Sequence, residues 1–135
     1  MLRGMRTLAV RIRHHQESGN AVAAWLEQHP KVERVFHPGL PSFDQRALFC
    51  KQMKGSGGLL TFMPKNQDKD AVIRFVEELS IFQIGVSWGG FESLSVPICM
   101  KPLGWTDEAF VIRLYCGLED PQDLIKDLDQ ALSRM

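Results

Sequence analysis

The chain has 135 residues, 44% of them hydrophobic and 24% charged, so it is long enough to enclose one core and too apolar to be disordered. Its 16 basic and 16 acidic residues balance, which argues against nucleic acid or an anionic membrane as a partner. Three cysteines without framework spacing, Cys50, Cys99 and Cys116, favour reduced thiols and hence a cytoplasmic location.

The first predicted element is a long helix over residues 1–28, ended by His29 and Pro30. Apolar residues keep helical spacing at Met5, Leu8, Ala9, Ile12, Val22, Ala23, Trp25 and Leu26. The basic residues spread around the helix are interpreted as a solvated face: Arg3, Arg6, Arg11 and Arg13. Because the pattern starts almost at once and without a clear cap, we expect a helix that leads in from a preceding domain.

Two strands and two helices are predicted next. Val32–Phe36 alternates apolar and polar residues, as a half-buried strand does, and residues 59–63 form a second strand. Ser42 is expected to cap a short helix between them. Asp68 or Asn66 is expected to cap the following helix. The apolar face of that helix consists of Val72, Phe75, Val76 and Leu79.

The last third of the chain is predicted to contain two or three strands and a helix. Residues 81–84 form a short strand, residues 91–96 an extended segment, and residues 99–107 a loop. A buried strand follows at 110–116, and Asp120 caps the final helix. Its apolar face consists of Leu124, Ile125, Leu128, Ala131, Leu132 and Met135.

The order of these elements predicts the fold class. Several strands follow one another without crossover helices, which favours a mostly antiparallel sheet with helices packed on one face. This is a small α/β domain of the α+β type. Without a repeat or a linker in the sequence, we expect residues 1–135 to form a single domain.

Arg113 lies in the middle of the apolar strand at 110–116. A guanidinium cannot lose its charge, so burying one is costly unless an anion meets it. One candidate anion is a substrate carboxylate, held by a forked pair of hydrogen bonds. The other is a protein carboxylate on Glu92, Glu119 or Asp120, and spacing alone slightly favours this structural ion pair.

The second candidate segment is Ser87-Trp88-Gly89-Gly90. The two glycines permit positive φ angles and close approach of the backbone to a ligand. Ser87 can hydrogen-bond a carboxylate or phosphate, and Trp88 can form the wall of a pocket. The alternative is a tight turn between strands. Since the sequence has no phosphate-binding glycine motif, nucleophile elbow or metal-ligand spacing, we predict no metal site and no catalytic nucleophile.

Four segments, in the same order, resemble one enzyme family. They are R-G-M-R-T-L at 3–8, W-L-x-x-H-P-x-V-x-x-V-x-H-P at 25–38, S-W-G-G-F-E-S-L at 87–94, and I-R-L followed by G-L-E-D-P-Q-D-L-I up to residue 125. The chain is similar in these segments to bacterial cystathionine β-lyases. Those belong to the pyridoxal-phosphate-dependent enzymes of cysteine and methionine metabolism.

The resemblance implies the C-terminal domain of a fold-type I enzyme, with residues 1–28 leading in from a missing cofactor domain. The complete enzyme would be a cytoplasmic homotetramer that converts L-cystathionine to homocysteine, pyruvate and ammonia in methionine biosynthesis. The Schiff-base lysine of the family lies in the cofactor domain, and no lysine of this chain lies in a matching motif. We therefore expect no catalytic residue here, no pyridoxal phosphate bound by the chain alone, and no activity from it.

The resemblance carries over the substrate side of the site. Arg113 matches the arginine that pairs with the substrate α-carboxylate, and Ser87 and Trp88 match adjacent pocket residues. Tryptophan after the serine is typical of β-lyases, whereas Val86 replaces a tyrosine usual in the enterobacterial ones. Two alternatives stay open: a γ-class relative (cystathionine γ-lyase, γ-synthase or methionine γ-lyase), and a non-catalytic binding or dimerisation domain.

Overall fold

The computed structural model describes residues 2–102 and 104–135. The helices are α1 (Leu2–Arg6), α2 (Leu8–Gln28), α3 (Arg46–Gln52), α4 (Lys69–Glu77) and α5 (Pro121–Arg134). The strands are β1 (Val32–Phe36), β2 (Leu59–Pro64), β3 (Gln83–Ile84), β4 (Leu94–Met100) and β5 (Ala109–Tyr115). The first residue of the predicted helix at 1–28 and residue 103 of the predicted loop lie outside the described residues.

The five strands form one mixed sheet in the order β1-β2-β5-β4-β3. Among the described residues, three of the four pairings are antiparallel, and β3 and β4 run parallel. The prediction of a mostly antiparallel sheet is therefore confirmed. Because β5 lies between β2 and β4, it forms the centre of the sheet, and Arg113 is paired with Thr61 on one side and Val96 on the other.

The core lies between one face of the sheet and helices α2, α4 and α5. Phe62 on β2 packs edge-to-face against Phe75 on α4, with ring centroids 5.8 Å apart. The predicted apolar faces of α4 and α5 contribute to this core, as do Ile112 and Leu114 of β5. Helices on one face of a sheet are thus observed as predicted, and this face is called the core face below.

Two helices begin where the sequence predicts. The Asp68 carboxylate accepts a hydrogen bond of 2.9 Å from the Ala71 backbone N–H and caps α4. The Asp120 carboxylate accepts one of 2.8 Å from the Gln122 backbone N–H and caps α5, with Pro121 in the first turn. These caps are local interactions, so the sequence alone could locate them.

Three predicted boundaries are wrong. The first helix is interrupted at Thr7, whose φ and ψ of −107° and 2° depart from helical values. Ser42 caps no helix, because its hydroxyl donates to the carboxylate of Glu27, and α3 begins after Gln45. β4 runs on to Met100, within the predicted loop, because β5 continues to offer it hydrogen-bonding partners.

Candidate active site

Arg113 projects from the sheet face opposite the core. Side chains alternate along a strand, so Ile112 and Leu114 point into the core while Arg113 shares the second face with its partners Thr61 and Val96. The Arg113 side chain is half-buried there. Because β5 is the central strand, the backbone of Arg113, from which the guanidinium extends, is held in place by a strand on each side.

The guanidinium is held by backbone carbonyls. Nη2 of Arg113 donates to the carbonyl oxygens of Gly85 at 3.1 Å and Ser87 at 3.3 Å. Its Nε is buried and has no hydrogen-bond partner among the described residues. These contacts orient the guanidinium through Nη2 and leave its buried Nε–H unused.

The structural ion pair considered from the sequence is wrong. Arg113 forms no salt bridge with any carboxylate in the described part of the chain. Glu119 instead accepts hydrogen bonds from the backbone N–H and the hydroxyl of Ser93, and Asp120 caps α5. Carbonyl dipoles orient the guanidinium without cancelling its net charge, so that charge remains available to an anion.

The segment that supplies these carbonyls is the site loop, defined as residues 85–92 between β3 and β4. Gly89 has φ +91°, the left-handed region that glycine tolerates best, so one of the two glycines of the segment uses the freedom that its lack of a side chain permits. The Tyr115 hydroxyl donates to the Gly90 carbonyl at 3.2 Å, and Nη1 of Arg11 donates to the Gly89 carbonyl at 3.3 Å. Two guanidinium groups and one phenol therefore hold the loop through its backbone.

Burial favours the neutral forms of Tyr115 and Cys116, at the end of β5 beside the site loop. It is the main cause that raises the pKa of Tyr115 above its usual value, so the phenol stays a hydrogen-bond donor. Burial also raises the pKa of Cys116, next along β5, to about 12. Neither group places a negative charge beside Arg113 near neutral pH.

The other two predicted site residues lie in the loop itself. Ser87 is exposed and meets Arg113 through its backbone carbonyl. Trp88 is 64% exposed and lines a cleft of about 330 Å³ with Leu8, His15 and Tyr115. The structure thus brings Arg113 and Ser87 together, and places Trp88 over the start of α2.

Two contributions to the site were missed by the sequence reasoning. Arg11 was assigned to a solvated face, yet it binds the site loop. The pairing of Glu119 with Ser93 was also missed, although both residues stand in the motifs that carry the resemblance. Both contacts join residues that are far apart along the chain, so only the folded structure reveals them.

Two features are absent from the described residues. Within residues 2–102 and 104–135, no three His, Cys, Asp or Glu side chains cluster so that they could bind a metal ion. Nor is any helix of that part of the chain long and apolar enough to cross a membrane.

The family model described as Cys/Met metabolism PLP-dependent enzyme matches residues 1–133. The chain belongs to this family. Among curated relatives, it is 40% identical to cystathionine beta-lyase MetC of Escherichia coli K12 and 44% identical to human cystathionine gamma-lyase. These alignments cover 98% and 96% of the chain. An L-alanine/L-glutamate racemase of Wolbachia pipientis is 38% identical over 98% of the chain.

The fold also matches a solved member of this family. A Campylobacter jejuni structure assigned as an O-acetylhomoserine (thiol)-lyase, which contains N'-pyridoxyl-lysine-5'-monophosphate, superposes with a TM-score of 0.83 and 34% identity. The match covers 97% of this chain and 30% of that structure. The chain spans 34–36% of the length of the three curated relatives named above. Lyases of the β and γ types are comparably similar to it, so similarity alone does not separate them.

Proposed function

We propose that this chain forms the substrate-carboxylate-binding part of a pyridoxal-phosphate-dependent carbon–sulfur lyase. The observation that carries the proposal is Arg113, whose guanidinium is oriented by the carbonyls of Gly85 and Ser87 but neutralised by no carboxylate of the described residues. A fixed, uncompensated guanidinium with a buried free donor fits a planar carboxylate.

The residues of this chain fit the substrate rather than the cofactor. Arg113 would bind the α-carboxylate of the amino-acid substrate, with Ser87 and Trp88 beside it. Pyridoxal phosphate, bound in the rest of the complete enzyme, supplies the electron sink for the carbon that loses a proton. By fixing the carboxylate, Arg113 would set the orientation of the bond to be broken, and such positioning contributes much of an enzymatic rate.

For the specific reaction we favour β-elimination of L-cystathionine to homocysteine, pyruvate and ammonia. Support comes from the S-W-G-G-F-E-S-L motif, in which Trp88 follows Ser87 as in β-lyases, and from the match to the Escherichia coli β-lyase. The second candidate is γ-elimination, supported by γ-lyase relatives that are 42–44% identical.

Product analysis of the complete enzyme with L-cystathionine tests this choice. Pyruvate with homocysteine is the expected result, whereas 2-oxobutyrate with cysteine would establish the γ-reaction instead. Conversion of L-alanine to D-alanine without any keto acid from cystathionine would contradict both lyase assignments.

A third candidate is that the chain acts alone as a non-catalytic binding or dimerisation domain. The observation behind it is that no lysine of this sequence lies in a motif that carries the resemblance. We expect the isolated chain to develop no visible cofactor absorbance after incubation with pyridoxal phosphate. A band that borohydride abolishes would show that one of its lysines binds the cofactor.

For the complete enzyme we propose a cytoplasmic homotetramer.

A further inference from the structure

The end of the site loop is anchored by a partly buried hydrogen-bond network that does not involve Arg113. The Glu119 carboxylate accepts from the Ser93 backbone N–H at 3.0 Å and from the Ser93 hydroxyl at 2.7 Å. That hydroxyl in turn accepts from the Gly117 N–H at 2.8 Å, and Ser93 is fully buried. The hydroxyl and the backbone N–H of Ser93 are therefore both hydrogen-bonded to the segment that directly follows β5.

The same network reaches the entrance of the loop. The carbonyl of Ser93 accepts from the backbone N–H of Gln83 at 2.9 Å, in the strand that leads into the loop. At the exit, the Leu118 N–H donates to the Phe91 carbonyl at 2.7 Å. Ser93 thus joins both ends of the loop to Glu119.

Gly117 allows this close approach. A Cβ at this position would lie 2.2 Å from the carbonyl oxygen of Phe91 and 2.6 Å from a carboxylate oxygen of Glu119. The two segments therefore touch backbone to backbone, and little room remains for the loop to shift relative to the end of β5.

Arg113 and Glu119 consequently hold one loop between them. Arg113 binds its first half through the carbonyls of Gly85 and Ser87, and Glu119 fixes its last residues through Ser93. The two parts of the loop belong to one continuous segment. The distance between the guanidinium and its carbonyl partners therefore depends on the Glu119 contact at the other end of that segment. Movement of the loop would release Nη2 and let the guanidinium rotate.

We propose that Glu119 is a positioning residue that fixes the carboxylate-binding orientation of Arg113 through Ser93 and the site loop. This inference rests on the proposed role of Arg113 in binding the substrate carboxylate. Glu119 touches neither the guanidinium nor the substrate in this scheme. It acts by holding the carbonyls that hold the guanidinium.

The test compares two carboxyl-to-amide variants in the complete holoenzyme. Glu119→Gln replaces one of the two acceptor oxygens by an NH2 donor, so either the N–H or the hydroxyl of Ser93 loses its acceptor. We therefore expect the KM for L-cystathionine to rise about tenfold while kcat changes by less than about twofold. The matched control is Asp127→Asn, because the buried Asp127 carboxylate accepts from the backbone N–H groups of Ser80, Ile81 and Phe82, before β3. We expect it to lower thermal stability and leave KM unchanged.

Amide hydrogen exchange supplies a readout that does not depend on turnover. Glu119→Gln should accelerate exchange at Gln83 and Ser93, whereas Asp127→Asn should accelerate it at residues 80–82. Equal KM increases in both variants would overturn the proposal, because general destabilisation would then explain them. Faster exchange at Ser93 with an unchanged KM would overturn it as well.

A third variant separates this inference from the proposed function. If Arg113→Lys raises KM and Glu119→Gln does not, only the positioning role of Glu119 fails. If Arg113→Lys leaves KM unchanged, the assignment of Arg113 to the substrate carboxylate fails.

Discussion

The two faces of the central strand β5 carry different kinds of side chain: apolar ones toward the core and a charged one on the opposite face. Toward the core, Ile112 and Leu114 are fully covered by helices and by neighbouring side chains. Toward the second face, the alternate position carries Arg113, whose charge cannot be removed by a shift in pKa. One seven-residue strand therefore provides both a hydrophobic contact surface and a fixed cation.

The contrast shows how a charge can be ordered without being neutralised. Apolar side chains on the core face need only be removed from water, and any well-fitting neighbour does this. The guanidinium needs hydrogen-bond acceptors, and the site loop supplies carbonyls rather than carboxylates. Carbonyls carry no net charge, so the positive charge of Arg113 on the second face is not neutralised. That charge can therefore bind an anion, as a binding site requires.

The largest effect is expected on the core face. Phe62→Ala should lower the free energy of unfolding by about 3–5 kcal/mol, because Phe62 is fully buried and its removal leaves a cavity beside Phe75. Denaturant unfolding of the chain measures this loss. The neighbouring Thr61→Ala, on the second face, should cost under about 1 kcal/mol. Similar losses for both variants would contradict the assignment of the core to one face.

The cysteines provide a second measure of burial. At about pH 8, a thiol with a pKa of about 12 has roughly 1000-fold less reactive thiolate than one at the usual value of 9.0. We therefore expect a disulfide reagent to label the exposed Cys50 and Cys99 quickly and Cys116 only after unfolding. Mass spectrometry of labelled peptides identifies each site. Rapid labelling of Cys116 in the folded chain would show that the core face opens.

The next effect concerns the second face and is kinetic. Arg113→Lys in the complete enzyme should raise KM for L-cystathionine about 10- to 100-fold, because lysine cannot make a forked contact with a carboxylate. Steady-state kinetics measures the change, with thermal unfolding as the control for folding. A lower melting temperature with unchanged KM would make Arg113 a purely structural residue.

The smallest effect is expected at the cap of α5. Asp120→Ala should cost about 1 kcal/mol of stability, because the Gln122 N–H loses its acceptor. Asp120→Asn should restore most of this loss, since the asparagine side chain also caps helices. Denaturant unfolding compares the two, and equal losses would show that charge rather than capping is responsible.

Much of the fold could be predicted because its signals are local. β1 has the predicted bounds Val32–Phe36, and Asp68 and Asp120 cap the predicted helices. The alternation of side chains along β5, which is also a local property, puts Ile112 and Leu114 on the core face. Where the prediction was wrong, a contact from outside the local segment decided the outcome, as with Ser42 and Glu27.

The sequence by itself determined the family, the mostly antiparallel sheet and the location of Arg113 in a buried strand. Only the tertiary structure decided that Arg113 meets carbonyls rather than Glu119, and that Glu119 binds Ser93. These partners are 28 and 26 residues apart along the chain. Periodicity and capping depend on neighbours within one or two turns, whereas such contacts depend on how the strands and loops pack. The sequence therefore supplies the charge, and the packing of the site loop decides what that charge can bind.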